Sequence, residues 1–563
     1  MQMERKAIKS RNTPKDTNMD KISWEELEEK AKLEVGQPAI EKLASTQFKI
    51  AVKEEVLTTE PTYVKKIVQT EEKMTESLVA DINNQEKVRV LIAASEGLPF
   101  VATGGLGEVI GSLPKAIMKE NNDHFDVRVI LPLYESVGVK EREQMDFLGH
   151  FNVKLAWRQQ YCGIFRTQKN GVTYYFIDNE YYFRRSIPYG YYDDGERFAF
   201  FSKAVLDSVH LLDFEPDIIH SHDWQTALIP IYLHFQYQHL QAKSIFTIHN
   251  IEYQGKIDFS ILGDVIDLPP EAGGILEYNG CVNLMKAAIE CSNKVNTVSP
   301  TYAAELRNNY FAKGLASIIQ KNEFKMRGIL NGIDVDSYNP ETDSSLFVNF
   351  GLETVEKKRE NKAELQRLVN LPIEADVPLI AIVSRLVTHK GFDLVTAIME
   401  QLLNEKVQVV VLGKGDRKYE DYFKWLQDQY QGKVASLICF NQDLARKIYA
   451  GADFFLMPSN SEPCGLAQMI ASRYGTVPIV RAVGGLRDTI RDCTNGEGNG
   501  FVFEHYNAHD MLNAIYRGLD LYDNKEHWSA LVKWIMSIDF SWEKSAREYE
   551  KLYLELSSVS VKG

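Results

Sequence analysis

Several residues in this chain are spaced so that together they could hold an anion. Arg385 and Lys390 follow directly on the apolar run Leu379–Val383, in a chain whose net charge is -14. Two cations just past a strand's carboxyl end either neutralise an anionic ligand or form ordinary surface ion pairs. Glu462 lies in the polar turn after a second apolar run, Phe454 to Met457, and a third run, Val477 to Val480, stops at Gly484-Gly485. A helix starting at that glycine pair would present free backbone N–H groups and the positive end of its dipole, a natural seat for phosphate. The same pair also serves simply as a tight turn.

The amino-terminal half carries a parallel set. VRVLIAAS, from Val88, reads as a buried strand and runs into Thr103, Gly104, Gly105 and Gly107, a loop able to lie against a bulky polar ligand. Val109, Leu113 and Ile117 mark the inner face of the helix that follows. In FEPDIIHSHDWQTALIPIYL, a short strand ending near Ile219 is expected to give way to His220, His222, Asp223 and Trp224, with a helix from about Thr226. His-x-His invites zinc, but no third ligand stands at a recognisable spacing. A histidine hydrogen-bonded to a neutral ligand fits better. SIFTIHN places His249 and Asn250 at another strand end, and the loop YYFRRSIPYGYYDDGER offers tyrosines either for stacking on sugar rings or for packing.

These loops need a scaffold that points strand ends at one crevice. Strand, loop and helix alternate through both halves, with DVRVILPLY, a strand pair FNVKLAW and TYYFIDN, VQVVVLGKGD and SLICFNQ completing the pattern. Such alternation builds parallel sheets, whose ligands sit beyond the carboxyl ends of the strands. The fold class expected is therefore α/β, with two doubly wound domains, 87–327 and 328–542, facing a cleft. The turn-rich stretch from Arg327 to Asp343 is the hinge, and 543–563 is an amphipathic helix with aromatic anchors. Residues 1–86 are rich in Lys and Glu and poor in Gly, and read as a charged extension, solvated or partner-binding, with helical spacing at Trp24 to Val35 and Tyr63 to Ile82.

Composition narrows the partners. With 563 residues, 44% hydrophobic and 25% charged, the chain is an ordinary globular protein, and its pI near 5.5 argues against nucleic acid or a membrane surface as a general partner. No apolar run approaches the roughly 20 residues of a membrane-spanning helix. The six cysteines lack paired metal-ligand spacing, which points to reduced thiols and a cytoplasmic location.

From Val88 to about Leu556 the chain resembles the bacterial glycogen synthase and plant starch synthase family. ATGGLGEV, HSHDWQTALIP, FTIHNIEYQG, NTVSPTYAAEL, GILNGID, VSRLVTHKG, PSNSEPCGLAQ and RAVGGLRDT occur in family order. The resemblance implies a GT-B architecture and retaining transfer of glucose from ADP-glucose to the non-reducing-end 4-hydroxyl of an α-1,4-glucan, with no metal and no cofactor. It assigns Arg385 and Lys390 to the diphosphate, Glu462 to the glucose hydroxyls near the developing positive charge, and His222 to the transferred sugar. Phe440 would stack on the base, and Thr103, Gly104, Gly105, Asn250, Cys464, Gly465, Leu466, Gly484, Gly485 and Leu486 would complete the nucleotide-sugar site. The last helix would cross back onto the first domain. Stacking and phosphate neutralisation do not distinguish ADP from UDP, so the nucleotide follows from the resemblance alone.

The sequence departs from the family in two places. Ala102 stands where the family's glycine loop carries a lysine, and Phe183-Arg184-Arg185-Ser186 offers no carboxylate where an aspartate is common. These departures keep open a second reading, a glucan-binding regulatory paralogue with little activity.

Overall fold

The computed structural model describes residues 87–560, with side chains through 557. The charged extension and its two expected helices lie outside the described residues.

The first sheet is built from β1 (Val88–Ala93), β2 (Phe125–Pro132), β3 (Asp146–Leu155), β4 (Arg158–Lys169), β5 (Val172–Asp178), β6 (Ile218–His222) and β7 (Lys243–Ile248). A three-stranded annex, β8 (Lys256–Ile257), β9 (Glu277–Tyr278) and β10 (Cys281–Asn283), interrupts the chain before β11 (Lys294–Thr297) and β12 (Met326–Gly328) rejoin the main sheet. The strand order is β12-β11-β7-β6-β1-β2-β5-β4-β3, parallel except at one edge, where β4 runs antiparallel to both β5 and β3. The continuous apolar character of β1 reflects burial on both faces: Val90 and Ile92 pack into one core, Leu91 and Ala93 into the other. The expected pairing of FNVKLAW with TYYFIDN is corrected by β4, which lies between them and pairs with both. Its alternation is diluted by Gly163 and by polar residues on its solvent face, so it does not stand out in the sequence.

The second sheet contains β13 (Leu379–Val383), β14 (Gln408–Leu412), β15 (Val434–Leu437), β16 (Phe454–Met457), β17 (Val477–Arg481) and β18 (Phe501–Phe503). All neighbours are parallel in the order β15-β14-β13-β16-β17-β18, the arrangement of a dinucleotide-binding domain. β15 begins two residues before SLICFNQ, so Phe440 falls in the loop beyond it rather than within a strand. Strand order reverses between β13 and β16 here, and between β1 and β6 in the first sheet. At such a switch point neighbouring loops diverge and leave a crevice.

Two chain crossings join the lobes side by side. The Ile333 N–H donates to the Phe540 carbonyl at 2.8 Å, and a Cβ on Gly332 would come within 2.6 Å of the Ser541 backbone. Arg327 lies in β12, so the irregular crossing begins after Gly328 rather than at Arg327. The final helix, Trp542–Ser560, lies on the first lobe. Trp542, Ala546, Tyr549, Leu552, Tyr553 and Leu556 are buried in the core shared with the helix Gly105–Asn121.

Candidate active site

The second lobe's switch point brings Lys390 and Glu462 together. Lys390 leaves a short turn after β13, Glu462 leaves the loop after β16, and Lys390 Nζ meets Glu462 Oε2 at 2.6 Å. Ser459 Oγ donates to the same oxygen at 3.0 Å, and Glu462 is only 6% exposed. The two loops are stitched by the Asn460 N–H on the His389 carbonyl (2.9 Å). Gly391, at φ +82, brings its backbone so close to the Pro458 carbonyl that a Cβ would lie 2.1 Å away. Arg385 is exposed just beyond β13. Burial holds the His389 imidazole below its usual range, and the Lys390 and Arg385 cations add to the effect. The sequence thus points to two cations, and the structure adds that one of them already faces a carboxylate.

Gly484 and Gly485 do something the sequence did not indicate. The helix they open, Gly484–Thr489, has only six residues, and its first N–H groups are engaged within the protein. The Gly484 N–H donates to Glu305 Oε1 at 3.0 Å, the Gly485 N–H to the carbonyls of Glu462 (3.1 Å) and Pro463 (3.2 Å), and the Leu486 N–H to the Val483 carbonyl (3.1 Å). The expectation of free N–H groups is therefore corrected: the turn clamps the Glu462 loop. A Cβ on Gly484, which sits at φ +47, would lie 1.9 Å from the Glu462 carbonyl, and one on Gly485 would lie 2.2 Å from the Cys464 carbonyl. Cys464 is buried under this clamp, Gly465 turns at φ +72, and Leu466 leads into the helix Ala467–Arg473. Phe440 is 84% exposed and free to stack.

In the first lobe, Glu96 organises the glycine loop. Its buried carboxylate accepts from both the N–H and the hydroxyl of Thr103, each at 2.7 Å, and burial raises its pKa against those bonds. No sequence motif marked Glu96; its place just after a buried strand was the available signal. A Cβ on Gly104 or Gly105 would meet nothing within 4 Å, so this turn is open where the other is closed.

His220 and His222 lie inside β6, fully buried, rather than beyond its end as expected. Their rings pack at 4.2 Å, and His222 Nδ1 lies 2.9 Å from His249 Nε2. Burial, more than neighbouring charge, holds all three neutral: His220 and His249 are pushed down to about 3, and His222 well below its ordinary range. His222 Nε2 has no hydrogen-bond partner, whereas both nitrogens of His220 are occupied. Asp223, at φ 58, accepts from the N–H groups of His249 (2.8 Å) and Asn250 (3.4 Å) and so ties the β6 and β7 ends together. Burial raises its pKa to about 7. The Asn250 side chain accepts from the Glu252 N–H at 2.9 Å and caps the next turn.

The two lobes touch across the cleft. Ser299 Oγ donates to the Pro463 carbonyl at 2.7 Å, Thr301 donates its N–H and hydroxyl to Asp488 at 2.9 and 2.6 Å, and Tyr310 OH donates to Asn460 Oδ1 at 2.9 Å. In the aromatic loop the two sequence readings divide: Tyr182 and Phe183 are buried anchors, while Tyr181 and Tyr192 are exposed. Arg185 is held by both Asp193 oxygens at 2.6 Å and Arg184 by Glu180 at 3.2 Å, so neither is an unpaired cation beside Ala102. Among the described residues, no group of three or more His, Cys, Asp or Glu side chains is placed to hold a metal, and no helix is long and apolar enough to cross a membrane.

The chain matches two family profiles, the starch synthase catalytic domain over residues 89–321 and glycosyl transferases group 1 over 368–531. It is 46% identical over 477 residues to the glycogen synthase of Bacillus cereus (strain B4264), covering 83% of this chain and all of that protein. It is 47% identical to that of Desulforamulus reducens, covering 83% of this chain and 99% of the relative. The catalytic domain of starch synthase IV from Arabidopsis thaliana, solved bound to ADP and acarbose, superposes with a TM-score of 0.78 at 35% identity. That match covers 84% of this chain and all of the domain.

Proposed function

The chain belongs to the starch and glycogen synthase family of glycosyltransferases, and on that premise we propose that it extends an α-1,4-glucan by retaining transfer of glucose from ADP-glucose. The observation that carries this reading is the Lys390–Glu462 pair at the second lobe's switch point, beside Arg385. A nucleotide diphosphate seated there meets two cations. In the structure Glu462 is the counter-ion of Lys390. When the diphosphate arrives it takes over the lysine, and the released carboxylate is free to accept from glucose hydroxyls and to oppose the positive charge that develops at the anomeric carbon.

The glucosyl–phosphate bond breaks as the acceptor's 4-hydroxyl attacks from the same face, and the hydroxyl proton passes to the departing phosphate oxygen. His222 holds the transferred sugar through Nε2, the nitrogen that lacks a protein partner. Thr103, Gly104 and Gly105 form the open wall against which the sugar nucleotide lies, and Asn250, Cys464, Gly465 and Leu466 line the site around it. Phe440 stacks on the base. Gly484, Gly485 and Leu486 contribute by holding the Glu462 loop, a role that fits their internal hydrogen bonds better than direct phosphate contact. The domains 87–327 and 328–542, with the segment 543–563 whose helix crosses back, are the units that open and close around this cleft. A cytoplasmic location is part of the reading, in keeping with six free thiols.

The test is to incubate purified protein with glycogen and labelled ADP-glucose or UDP-glucose, with and without chelator. Label entering polymer from ADP-glucose in the presence of chelator is expected. A protein that binds glycogen but transfers no label from either donor is the regulatory paralogue, and this reading is then wrong.

A further inference from the structure

A buried chain of hydrogen bonds runs from the final helix to the strand that carries His222. Tyr553 OH lies 3.0 Å from His220 Nδ1, His220 Nε2 lies 2.6 Å from Thr247 Oγ1, the Thr247 hydroxyl donates to Asn296 Oδ1 at 2.5 Å, and Asn296 Nδ2 donates to Tyr549 OH at 3.1 Å. All five residues are fully buried, or within 1% of it. The direction of the chain follows from the chemistry of its members. An amide oxygen only accepts, so the Thr247 proton goes to Asn296, and the Thr247 oxygen must accept from His220 Nε2–H. Nδ1 of the neutral His220 ring is then bare and accepts the Tyr553 proton. Tautomer and ring plane of His220 are both determined, and this ring packs at 4.2 Å and 32° against His222.

We propose that Tyr553, acting through His220 and Thr247, is a positioning residue for the reaction: the final helix holds the His220 ring as the wall that fixes the plane of the His222 ring and so the direction of its Nε2. The inference rests on the reading that His222 touches the transferred sugar. Without the Tyr553 hydroxyl, His220 Nδ1 becomes an unpaired buried acceptor. It regains a partner only by turning the ring, which breaks the bond to Thr247 and withdraws the surface against which His222 rests; a change of tautomer would leave Nδ1–H without an acceptor and turn the Thr247 hydroxyl from Asn296 to Nε2. Tyr549 stands at the far end of the chain, accepts only from Asn296, and has less influence.

The experiment compares Tyr553→Phe, Tyr549→Phe, Thr247→Val, Thr247→Ser and His222→Ala in the full chain, measuring kcat, KM for ADP-glucose and Tm. Tyr553→Phe and Thr247→Val are expected to lower kcat roughly 5- to 15-fold with KM within twofold of the unaltered protein. Thr247→Ser, which keeps the hydroxyl, is expected to stay within twofold. Tyr549→Phe should fall between these. The proposal is overturned if Tyr553→Phe and Thr247→Val keep kcat within twofold while His222→Ala loses turnover, or if kcat merely tracks Tm across the set. Should Tyr553→Phe fail to fold, the Thr247→Val and Thr247→Ser pair decides alone. Normal turnover in His222→Ala would instead remove the site reading itself, and this inference with it.

Discussion

Gly-Gly-Leu occurs twice in this chain, each time between a buried parallel strand and a helix, and the two copies do opposite things. At Gly104-Gly105-Leu106 a side chain on either glycine would meet open space, and Gly104 has an extended φ of -172, which any residue adopts. At Gly484-Gly485-Leu486 a side chain would strike the carbonyls of Glu462 and Cys464 within 2.2 Å, and Gly484 is left-handed. One turn leaves room for a ligand; the other leaves none and grips the loop bearing the carboxylate. A motif of glycines therefore reports that something comes close to the backbone, and only the packing shows whether that is substrate or protein.

The largest effect should come from closing the gap that does not exist. Gly484→Ala cannot avoid backbone atoms, so it is expected to destabilise the protein by about 2–4 kcal/mol and to lower turnover by about 100-fold or more, because the Glu462 loop must move. A variant with unchanged Tm and kcat would show that the clamp is dispensable. Lys390→Ala and Glu462→Ala come next: each should lower kcat by about 100-fold while the fold survives, since the charge acts in the transition state. Near-normal turnover in either would reduce their 2.6 Å contact to a structural ion pair with no part in the reaction. Gly104→Ala sharpens the contrast from the other side. Tm should not move, yet kcat/KM for ADP-glucose should fall by about 10-fold if the open space belongs to the ligand. If kcat/KM is unchanged, the space is only solvent.

Ala102→Lys adds the cation that the first turn lacks. Ala102 is exposed, so a lysine can leave toward the cleft without disturbing the fold, and kcat/KM is expected to rise by up to about 10-fold. Arg184 and Arg185 are already paired with Glu180 and Asp193, so removing them should not change that gain. Absence of any gain would exclude the loop as a phosphate contact. The smallest effect concerns Asp223. Its folded pKa, about 7, lies above its unfolded value of 3.8, so its contribution to stability is fully present below about pH 4 and is lost as pH rises through 7. Asp223→Asn retains an oxygen for the His249 and Asn250 N–H groups. Its Tm should therefore fall less than that of the unaltered protein between pH 5 and 8, and identical profiles would mean that Asp223 does not titrate in that window.

Much of the architecture was legible because it depends on short-range pattern. Apolar runs such as Leu379–Val383 and Phe454–Met457 lie where β13 and β16 form, since strands buried on both faces need unbroken hydrophobic sequence. β4 is not legible because its alternation is diluted, and the strand of His220 and His222 runs three residues farther than Ile219 because those histidines are polar in type yet fully buried among neighbours remote in sequence. By itself the sequence determined the α/β alternation, the presence of cations and a carboxylate at strand ends, and a resemblance carried by ordered motifs. It could not determine which atoms those groups would face. The pairing of Lys390 with Glu462 spans 72 residues, the Gly484 contact with Glu305 spans 179, and the bond from Tyr553 to His220 spans 333. Such contacts depend on the strand order of two sheets and on a final helix that returns to the first of them, so only the assembled tertiary structure decides them.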